Sequence, residues 1–237
     1  MKQKTIHPSM QPYLDGKVIL IDKPVRWTSF DAVKKVRIAT QVAKVGHAGT
    51  LDPLATGLLI ICTGKFTKKI TEYMGMPKTY TGTMMLGAST PTYDLESEPG
   101  SFKNFEHITV ENIVATAKKF TGEILQMPPI HSAIKKDGEK AYVLARKGKE
   151  VKLDPRKITI FSFEILSVQL PAIQFKVQCS TGTYIRSLAH DVGKALGTGA
   201  YLSELRRTNI GDFSVDDALS PNGFEAYTTA LKKTLEG

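Results

Sequence analysis

Strand-like apolar segments alternate irregularly with amphipathic helical segments along this chain, and that order limits the folds open to it. Residues 18–21 and 58–62 are continuous apolar runs typical of buried strands, whereas residues 109–120 repeat apolar side chains at helical spacing. Strand patterns at 158–168 and 173–179 follow each other with no helix between them. Because a strict strand–helix–strand repeat is absent, the order predicts an α+β fold, with a mixed or antiparallel central sheet flanked by helices.

Local signals predict where further helices and strands begin. Ser29 is a candidate N-cap for a helix that begins near Asp31. A helix is also expected over 184–196, a last strand over 208–213 and a final helix over 223–235. No internal repeat or low-complexity segment interrupts this order.

Composition divides the chain into a main domain and two short flanking segments. Residues 1–16 are polar and contain two prolines, so we expect a loosely ordered N-terminal extension. Residues 17–213 carry most of the regular patterns and are predicted to form one domain. Within it, residues 121–157 contain a Pro-Pro step and many basic side chains, which indicates an inserted arm. Residues 214–237 are expected to be a short C-terminal tail.

The chain is strongly basic, with 32 Lys and Arg against 23 Asp and Glu and a net charge of +9. One interpretation is solubility alone; the other is a polyanionic partner, because clustered cations release counterions from phosphates. Charge by itself leaves both open. The main concentration lies in the arm and consists of Lys135, Lys136, Lys140, Arg146, Lys147 and Lys149.

Several functional classes receive little support. Cys62 and Cys179 lie in apolar runs far apart in sequence, which favours buried reduced thiols over a zinc or redox site. The five histidines are scattered and none pairs at i, i+4, so we predict no metal site. No apolar leader follows Met1 and no run is long enough to span a bilayer, so we expect a cytoplasmic protein.

Residues 46–57, with the sequence GHAGTLDPLATG, combine turn chemistry with ionisable groups. Three glycines and a proline would hold a tight loop between two regular elements. The loop contains one imidazole, His47, and one carboxylate, Asp52. Taken alone, an Asp-Pro step is more typical of a turn or helix cap than of a catalyst, and a lone histidine is usually structural. The spacing does not match a phosphate-binding loop, since no Gly-Lys-Ser/Thr follows.

This loop resembles the signature loop of the TruB family of tRNA pseudouridine synthases. Residues 128–146 also resemble the RNA-gripping insertion of that family. The similarity covers roughly residues 16–213. Four further blocks agree with the family in order: 20–24 (LIDKP) with 28–29 (TS), 78–80 (KTY) with 86–87 (LG), 182–186 (GTYIR), and 199–202 (GAYL) with 205–208 (LRRT).

The resemblance implies isomerisation of one uridine to pseudouridine at position 55 of the tRNA T-arm, without cofactor or metal. The partner would be tRNA; no protein partner or membrane is implied, and a monomer is expected. A base inside a folded RNA loop has to be swung out before its glycosidic bond can be attacked. That step needs a positive surface, which the arm and the pair Arg206 and Arg207 would supply, together with an aromatic platform.

The family's residue roles can be carried over to matching positions of this sequence. Asp52 would be the nucleophile, acting at the sugar C1′, at the base C6 or through a glycal. Tyr80 would stack on the uracil and is a candidate proton acceptor, and Arg186 would pair with Asp52 and keep it ionised. The substrate-binding residues implied are His47, which would fill the gap left by the flipped base, Tyr184, Leu205, Lys23, Arg206, Lys135 and Lys136.

The sequence departs from the family pattern at three places. Arg26 stands where glycine is common, so the turn there loses a residue that adopts positive φ at low cost. Pro91 stands where the family usually has an acid, which predicts a changed loop near the RNA. Only about 24 residues follow Phe213, too few for the C-terminal PUA-type RNA-binding domain found in most bacterial members.

Two other functions remain as alternatives. One is a catalytically silent tRNA-binding or tRNA-folding protein, which the basic arm would suit. Retention of Asp52 and Arg186 counts against it. The other is a guide-RNA-dependent relative within a ribonucleoprotein, whose members normally keep the C-terminal RNA-binding domain.

Overall fold

A computed structural model describes residues 6–132, 134–136, 138–147 and 153–234, with the backbone alone at 135, 136, 140, 142, 145 and 146. The described residues form two compact units. The first combines Met1–Lys78 with Arg206–Gly237, and the second is Thr79–Leu205. The strand Ala200–Ile210 contributes its first part to the second unit and its last part to the first.

The central strand of the first unit is β3 (Thr56–Thr63), whose apolar residues are fully buried. Along one edge it pairs antiparallel with β1 (Val18–Lys23). Along the other edge, its end pairs antiparallel with β2 (Val45–His47) and its start pairs parallel with the strand Ala200–Ile210. The loop 48–55 therefore leaves the sheet at the point along this edge where β3 stops pairing with β2 and starts pairing with the strand Ala200–Ile210.

Helices pack on this sheet around an apolar core. Tyr13 and Phe224 meet edge to face with ring centroids 5.9 Å apart, joining the two chain ends. The helices of the first unit are α1 (Gln11–Asp15), α2 (Ser29–Thr40), α3 (Ile70–Gly75) and α7 (Pro221–Thr234), with 3-10 turns at Pro8–Met10, Gly64–Lys69 and Val215–Asp217.

The prediction of a loosely ordered N-terminal extension is wrong for the part that the structure describes. Met10 is fully buried in the core, and helix α1 brings Tyr13 beside it. Residues 1–5 lie outside the described residues. Two apolar side chains in a short polar segment thus suffice to anchor it, since burying each contributes about 1.5–3 kcal/mol.

The second unit is built on antiparallel strands. Strand β8 (Arg156–Gln169) pairs with β9 (Ala172–Cys179) on one side and with β5 (Gly122–Gln126) on the other. Strand β4 (Lys78–Leu86) lies between β9 and β10 (Ala200–Ile210). Helices α4 (Val110–Lys119) and α6 (Ile185–Ala195) complete the unit. Parallel and antiparallel pairs together confirm the predicted α+β fold with a mixed sheet.

The predicted arm contains three short elements, β6 (Lys135–Lys136), β7 (Glu139–Lys140) and α5 (Ala141–Arg146). The first two form a small antiparallel hairpin. Lys147 Nζ lies 3.1 Å from Glu139 Oε1 in an exposed ion pair. The side chains of Lys135 and Lys136, and Lys149 as a whole, lie outside the described residues, so their contact with RNA stays a prediction.

Two local predictions differ from the structure. The N-cap of α2 is Thr28 and not Ser29: Thr28 Oγ1 accepts from Asp31 N at 3.1 Å, and Asp31 Oδ2 accepts from Thr28 N at 2.9 Å. The expected strand over 208–213 is divided: its first three residues end the longer strand β10, a turn follows, and Phe213 begins the short strand β11 (Phe213–Ser214), which pairs antiparallel with β10. Both cysteines are buried and free, as predicted. Across the described ranges, no helix has the length and apolar character needed to cross a membrane.

Candidate active site

The loop 48–55 between β2 and β3 is held close to the sheet at both ends. Ala48 N donates to Ile60 O at 2.9 Å, and Gly49 turns the chain with φ +90°. Leu51 and Ala55 are each only 3% exposed, and Ala55 N donates to Asp52 O at 3.1 Å. Asp52 is half-buried between two buried residues, so its position depends on the backbone around it.

Both neighbours of Asp52 are fixed by hydrogen bonds from the segment 23–29. The buried Ser29 Oγ accepts from Leu51 N at 2.9 Å and lies 3.2 Å from Leu51 O. On the other side, Pro53 O accepts from Arg26 N at 2.7 Å and from Lys23 Nζ at 3.4 Å. The backbone that carries Asp52 is therefore fixed on both sides, which leaves little of the loop to be ordered when a substrate binds.

Lys23 is a fully buried cation close to this loop. Its Nζ also donates to Trp27 O at 2.7 Å and to Pro24 O at 3.1 Å. Burial lowers the pKa of Lys23 to about 8, although the negative charge of Asp52 acts in the opposite direction. These contacts hold the turn 24–27 against the loop; a direct contact between Lys23 and substrate stays a prediction.

The lowered pKa of Lys23 predicts how stability depends on pH. Between about pH 8 and the ordinary lysine pKa of 10.5, the unfolded chain keeps the Lys23 proton that the folded protein has lost. The unfolded state then binds more protons, so the Lys23 contribution to the free energy of unfolding rises through this window. Urea unfolding of wild type and Lys23→Met should differ in this pH slope. The exposed Lys17→Met is the control, and equal slopes for wild type and Lys23→Met would contradict the prediction.

The pair Arg206 and Arg207 divides between two environments. Arg207 is 1% exposed; its Nε donates to Leu58 O at 2.8 Å and its Nη2 to Gly49 O at 3.1 Å. The prediction that Arg207 adds to a positive surface is therefore wrong, because its guanidinium is used inside the unit to hold the loop. Arg206 makes two bonds to the carboxylate of Asp22, at 2.9 and 2.8 Å. Its contact with RNA stays a prediction.

His47 ends strand β2 immediately before the loop. Burial lowers the pKa of His47, opposed by a backbone hydrogen bond with Gly49 and reinforced by the positive charge of Arg207. The imidazole is therefore neutral at physiological pH. Its role in filling the gap left by a flipped base stays a prediction.

Arg26 adopts a left-handed conformation, with φ +65°. The turn therefore keeps the geometry that a glycine would favour, and the arginine carries the strain. Arg26→Gly should raise the free energy of unfolding by about 0.5–1 kcal/mol, since relief of the left-handed strain exceeds the added entropy of the unfolded chain. Urea unfolding tests this, with Lys34→Gly in helix α2 as a control that should lose about 1 kcal/mol. A less stable Arg26→Gly would contradict the argument.

The second unit holds the other predicted residues. Tyr80 lies in β4 and is 8% exposed, and Leu205 lies half-buried in β10. Tyr184 is the N-cap residue of α6, two residues before Arg186. Residues carried by β4, β10 and α6 therefore share one compact unit.

Arg186 is 5% exposed and is held by groups from two loops. Its Nη1 donates to Thr92 O at 3.1 Å and its Nη2 to His131 O at 3.1 Å. Its Nε lies 3.6 Å from the buried Asp94 Oδ2. Because the two carbonyl oxygens accept hydrogen bonds and the carboxylate is negatively charged, these groups together fix the orientation of the guanidinium within its own unit. Its predicted pairing with Asp52, which belongs to the first unit, stays a prediction.

Asp94 is a buried neighbour of Arg186 that sequence reasoning did not identify. It lies three residues after Pro91; its carboxylate is buried beside Arg186 and accepts from Glu96 N at 3.0 Å. The preceding Tyr93 has φ +64° and stacks on His190 at 3.9 Å between ring centroids. The available signal was an acid directly after a stretch of hydroxyl side chains that ends at Tyr93.

The structure thus groups Lys23, His47, Asp52 and Arg206 in the first unit and Tyr80, Tyr184, Arg186 and Leu205 in the second. Among the residues described, no group of three or more His, Cys, Asp or Glu side chains is arranged to hold a metal ion. The chemistry available from the site's own groups is nucleophilic and acid–base.

Family models cover most of the chain. A model described as "TruB family pseudouridylate synthase (N terminal domain)" matches residues 37–185, and one described as "tRNA pseudouridylate synthase B C-terminal domain" matches residues 186–236. The chain belongs to the TruB family. Membership confirms the resemblance seen in the motifs and makes the chain an enzyme of the pseudouridine synthase class.

Individual relatives agree with this assignment to the TruB family. The chain is 54% identical to a tRNA pseudouridine synthase B of Flavobacterium johnsoniae over 91% of its own length and 97% of the relative. It is 48% identical to the enzyme of the same name from Phocaeicola vulgatus over 91% and 94%. Similarity of this extent covers both units.

Solved structures show the same TruB-like fold. One chain of a Cbf5–Nop10–Gar1 complex is 30% identical and matches 96% of this chain with a TM-score of 0.75. A chain from an H/ACA RNP bound to a substrate RNA containing 2′-deoxyuridine is 26% identical and matches 98% with a TM-score of 0.71. This chain spans 58% and 62% of their lengths, respectively.

Proposed function

We propose that this enzyme isomerises uridine to pseudouridine at position 55 in the T-arm of tRNA, with Asp52 as nucleophile and without cofactor. The observation that carries the proposal is the placement of Asp52: it lies in the family's signature loop, and hydrogen bonds from Ser29, Arg26 and Lys23 fix the residues on both sides of it. The relatives named tRNA pseudouridine synthase B support tRNA as the substrate. The catalytic domain proposed is residues 17–213, acting as a monomer in the cytoplasm.

In the proposed reaction the target uridine is flipped out of the T-loop before chemistry begins. Tyr80 stacks on the uracil, a contact typically worth about 1–3 kcal/mol. Asp52 attacks at C1′ or C6, or promotes glycal formation; each route breaks the C1′–N1 bond. The base turns, and C5 bonds to C1′ as any bond between Asp52 and carbon breaks. The C5 proton is lost, with Tyr80 as its candidate acceptor, and N1 takes up a proton from solvent.

Release of the C5 hydrogen provides the direct test. Wild-type protein should release tritium from a tRNA transcript labelled at uridine C5, by an amount equal to one uridine per tRNA. A transcript with cytidine at position 55 should release none. Release from that control, or no release from the normal transcript, would contradict the proposed site or the proposed activity. Activity on bare transcript also excludes a requirement for guide RNA.

The arm supports a prediction about salt dependence. If Lys135, Lys136, Lys147 and Lys149 contact phosphates, replacing all four by Gln should reduce the slope of log affinity against log salt by roughly 2–4. Because Lys147 already forms an exposed ion pair with Glu139, we expect the reduction in slope to be closer to 2 than to 4. Filter binding of tRNA measures the slope. The double replacement of Lys118 and Lys119 on α4 is the control, and an unchanged slope in the arm variant would exclude phosphate contacts there.

A further inference from the structure

A buried amide joins the end of strand β5 to the start of helix α6. Gln126 is 2% exposed, and its Oε1 accepts from Tyr184 N at 2.8 Å. Its Nε2 donates to Tyr184 O at 3.0 Å. One side chain therefore satisfies both backbone groups of a residue 58 positions further along the chain.

Tyr184 sets where helix α6 begins. It is the N-cap residue, with φ −99° and ψ 109°, and its own side chain makes no capping hydrogen bond. Its carbonyl also accepts from Leu188 N at 3.1 Å, the first bond of the helix. If α6 slipped by one residue relative to β5, so that a different residue took the place of Tyr184, its side chains would turn by about 100° about the axis. The direction of Arg186 therefore depends on how firmly Tyr184 is held.

Two further hydrogen bonds join the same two segments. Ser187 Oγ donates to Met127 O at 2.8 Å, and Arg186 Nη2 donates to His131 O at 3.1 Å. Residues 126–131 belong to the predicted arm and precede its basic side chains. This part of the arm and the first turn of α6 thus form one hydrogen-bonded group, in which the buried Gln126 side chain binds both backbone groups of Tyr184.

We propose that Gln126 is a positioning residue for the isomerisation. It holds Tyr184 and, through the first helical turn, orients Arg186, while making no contact with the reacting atoms. This inference rests on the proposed function, since it assumes that Tyr184 and Arg186 act at the site.

Replacing Gln126 by Met keeps the side-chain length and removes both hydrogen bonds. Gln126→Met should slow tritium release under single-turnover conditions by about 100-fold, the loss typical of a displacement near 1 Å at a catalytic group. Its tRNA dissociation constant should stay within about threefold of wild type, since phosphate contacts dominate affinity. The exposed Gln174, which accepts a hydrogen bond from Ser167 Oγ at 3.0 Å, supplies the matched control Gln174→Met.

Gln126→Glu gives a second test that does not depend on the Met variant folding. A protonated glutamic acid accepts from Tyr184 N and donates to Tyr184 O, as the amide does, whereas the carboxylate has no proton to donate. The rate of Gln126→Glu relative to wild type at the same pH should therefore rise at least about fivefold from about pH 8.5 to about pH 6. A residue needed for folding alone would change the unfolding midpoint without this recovery of rate.

Two results would each overturn the positioning role of Gln126. One is a folded Gln126→Met with a rate within twofold of wild type. The other is a relative rate for Gln126→Glu that is flat with pH. Wild-type protein that releases no tritium from tRNA overturns the proposed function, and this inference with it.

Discussion

Asp52→Asn should reduce tritium release from tRNA by at least about a thousandfold, the scale seen when a nucleophile is removed from an enzyme site. The amide has the shape of the carboxylate but cannot attack carbon. The backbone contacts around it, from Ser29 Oγ to Leu51 and from Lys23 Nζ to Pro53, do not involve the side chain that is changed. We therefore expect the loss to be chemical, with binding and folding retained.

The measurement is a single-turnover tritium assay beside tRNA filter binding and urea unfolding. Asp212→Asn, an exposed carboxylate in the turn after β10, is the matched control and should behave as wild type. Release by Asp52→Asn within tenfold of wild type would remove Asp52 from the role of nucleophile. If Asp52→Asn binds tRNA normally but releases no tritium, the release by wild type depends on Asp52. The alternative of a purely tRNA-binding protein would then be excluded.

Gly57→Ala should lower the free energy of unfolding by about 3–5 kcal/mol, adding backbone strain to overpacking. Gly57 has φ +102°, and a Cβ there would lie 2.3 Å from Arg207 O and 2.8 Å from Arg207 N. Those atoms belong to the neighbouring strand, which pairs with β3 at this residue. The methyl group would force the two strands apart where the loop 48–55 rejoins the sheet.

Urea unfolding measures this effect when the variant and wild type show the same dependence of the free energy of unfolding on urea concentration. Gly75→Ala is the control. Gly75 ends helix α3, and a Cβ there meets no atom within 4 Å. It should be neutral or stabilise the protein by up to about 1 kcal/mol. If Gly57→Ala lost less than about 1 kcal/mol, the two strands would have to be more adaptable than the close approach indicates.

The motifs predicted Asp52 and the fold class because both depend on patterns local in sequence. Ser29 shows where such reasoning stops. A hydroxyl at the start of a helix suits an N-cap, but Thr28 takes that position and Ser29 binds Leu51 instead. Only the tertiary proximity of residue 51, which one-dimensional spacing does not reveal, separates the two roles.

The pair Arg206 and Arg207 contains a sequence signal for burial that the prediction did not use. Consecutive residues of a strand face opposite sides of a sheet, so one of the two had to point inward if both lay in a strand. The predicted strand began at residue 208, two residues too late to include both arginines. Asp94 was missed for a different reason: its burial beside Arg186 brings together residues 92 positions apart.

The first unit is made from two separated stretches of chain, and this has a consequence for biosynthesis. Arg207, which donates to Leu58 O and Gly49 O, is translated long after the loop that it supports. At about 5–20 residues per second, the ribosome needs roughly 6–25 s to pass from the end of the first stretch to the start of the second. During that interval the nascent loop has neither its parallel neighbour strand nor the Arg207 guanidinium. We therefore expect a growing chain to stay inactive toward RNA until its last strand emerges.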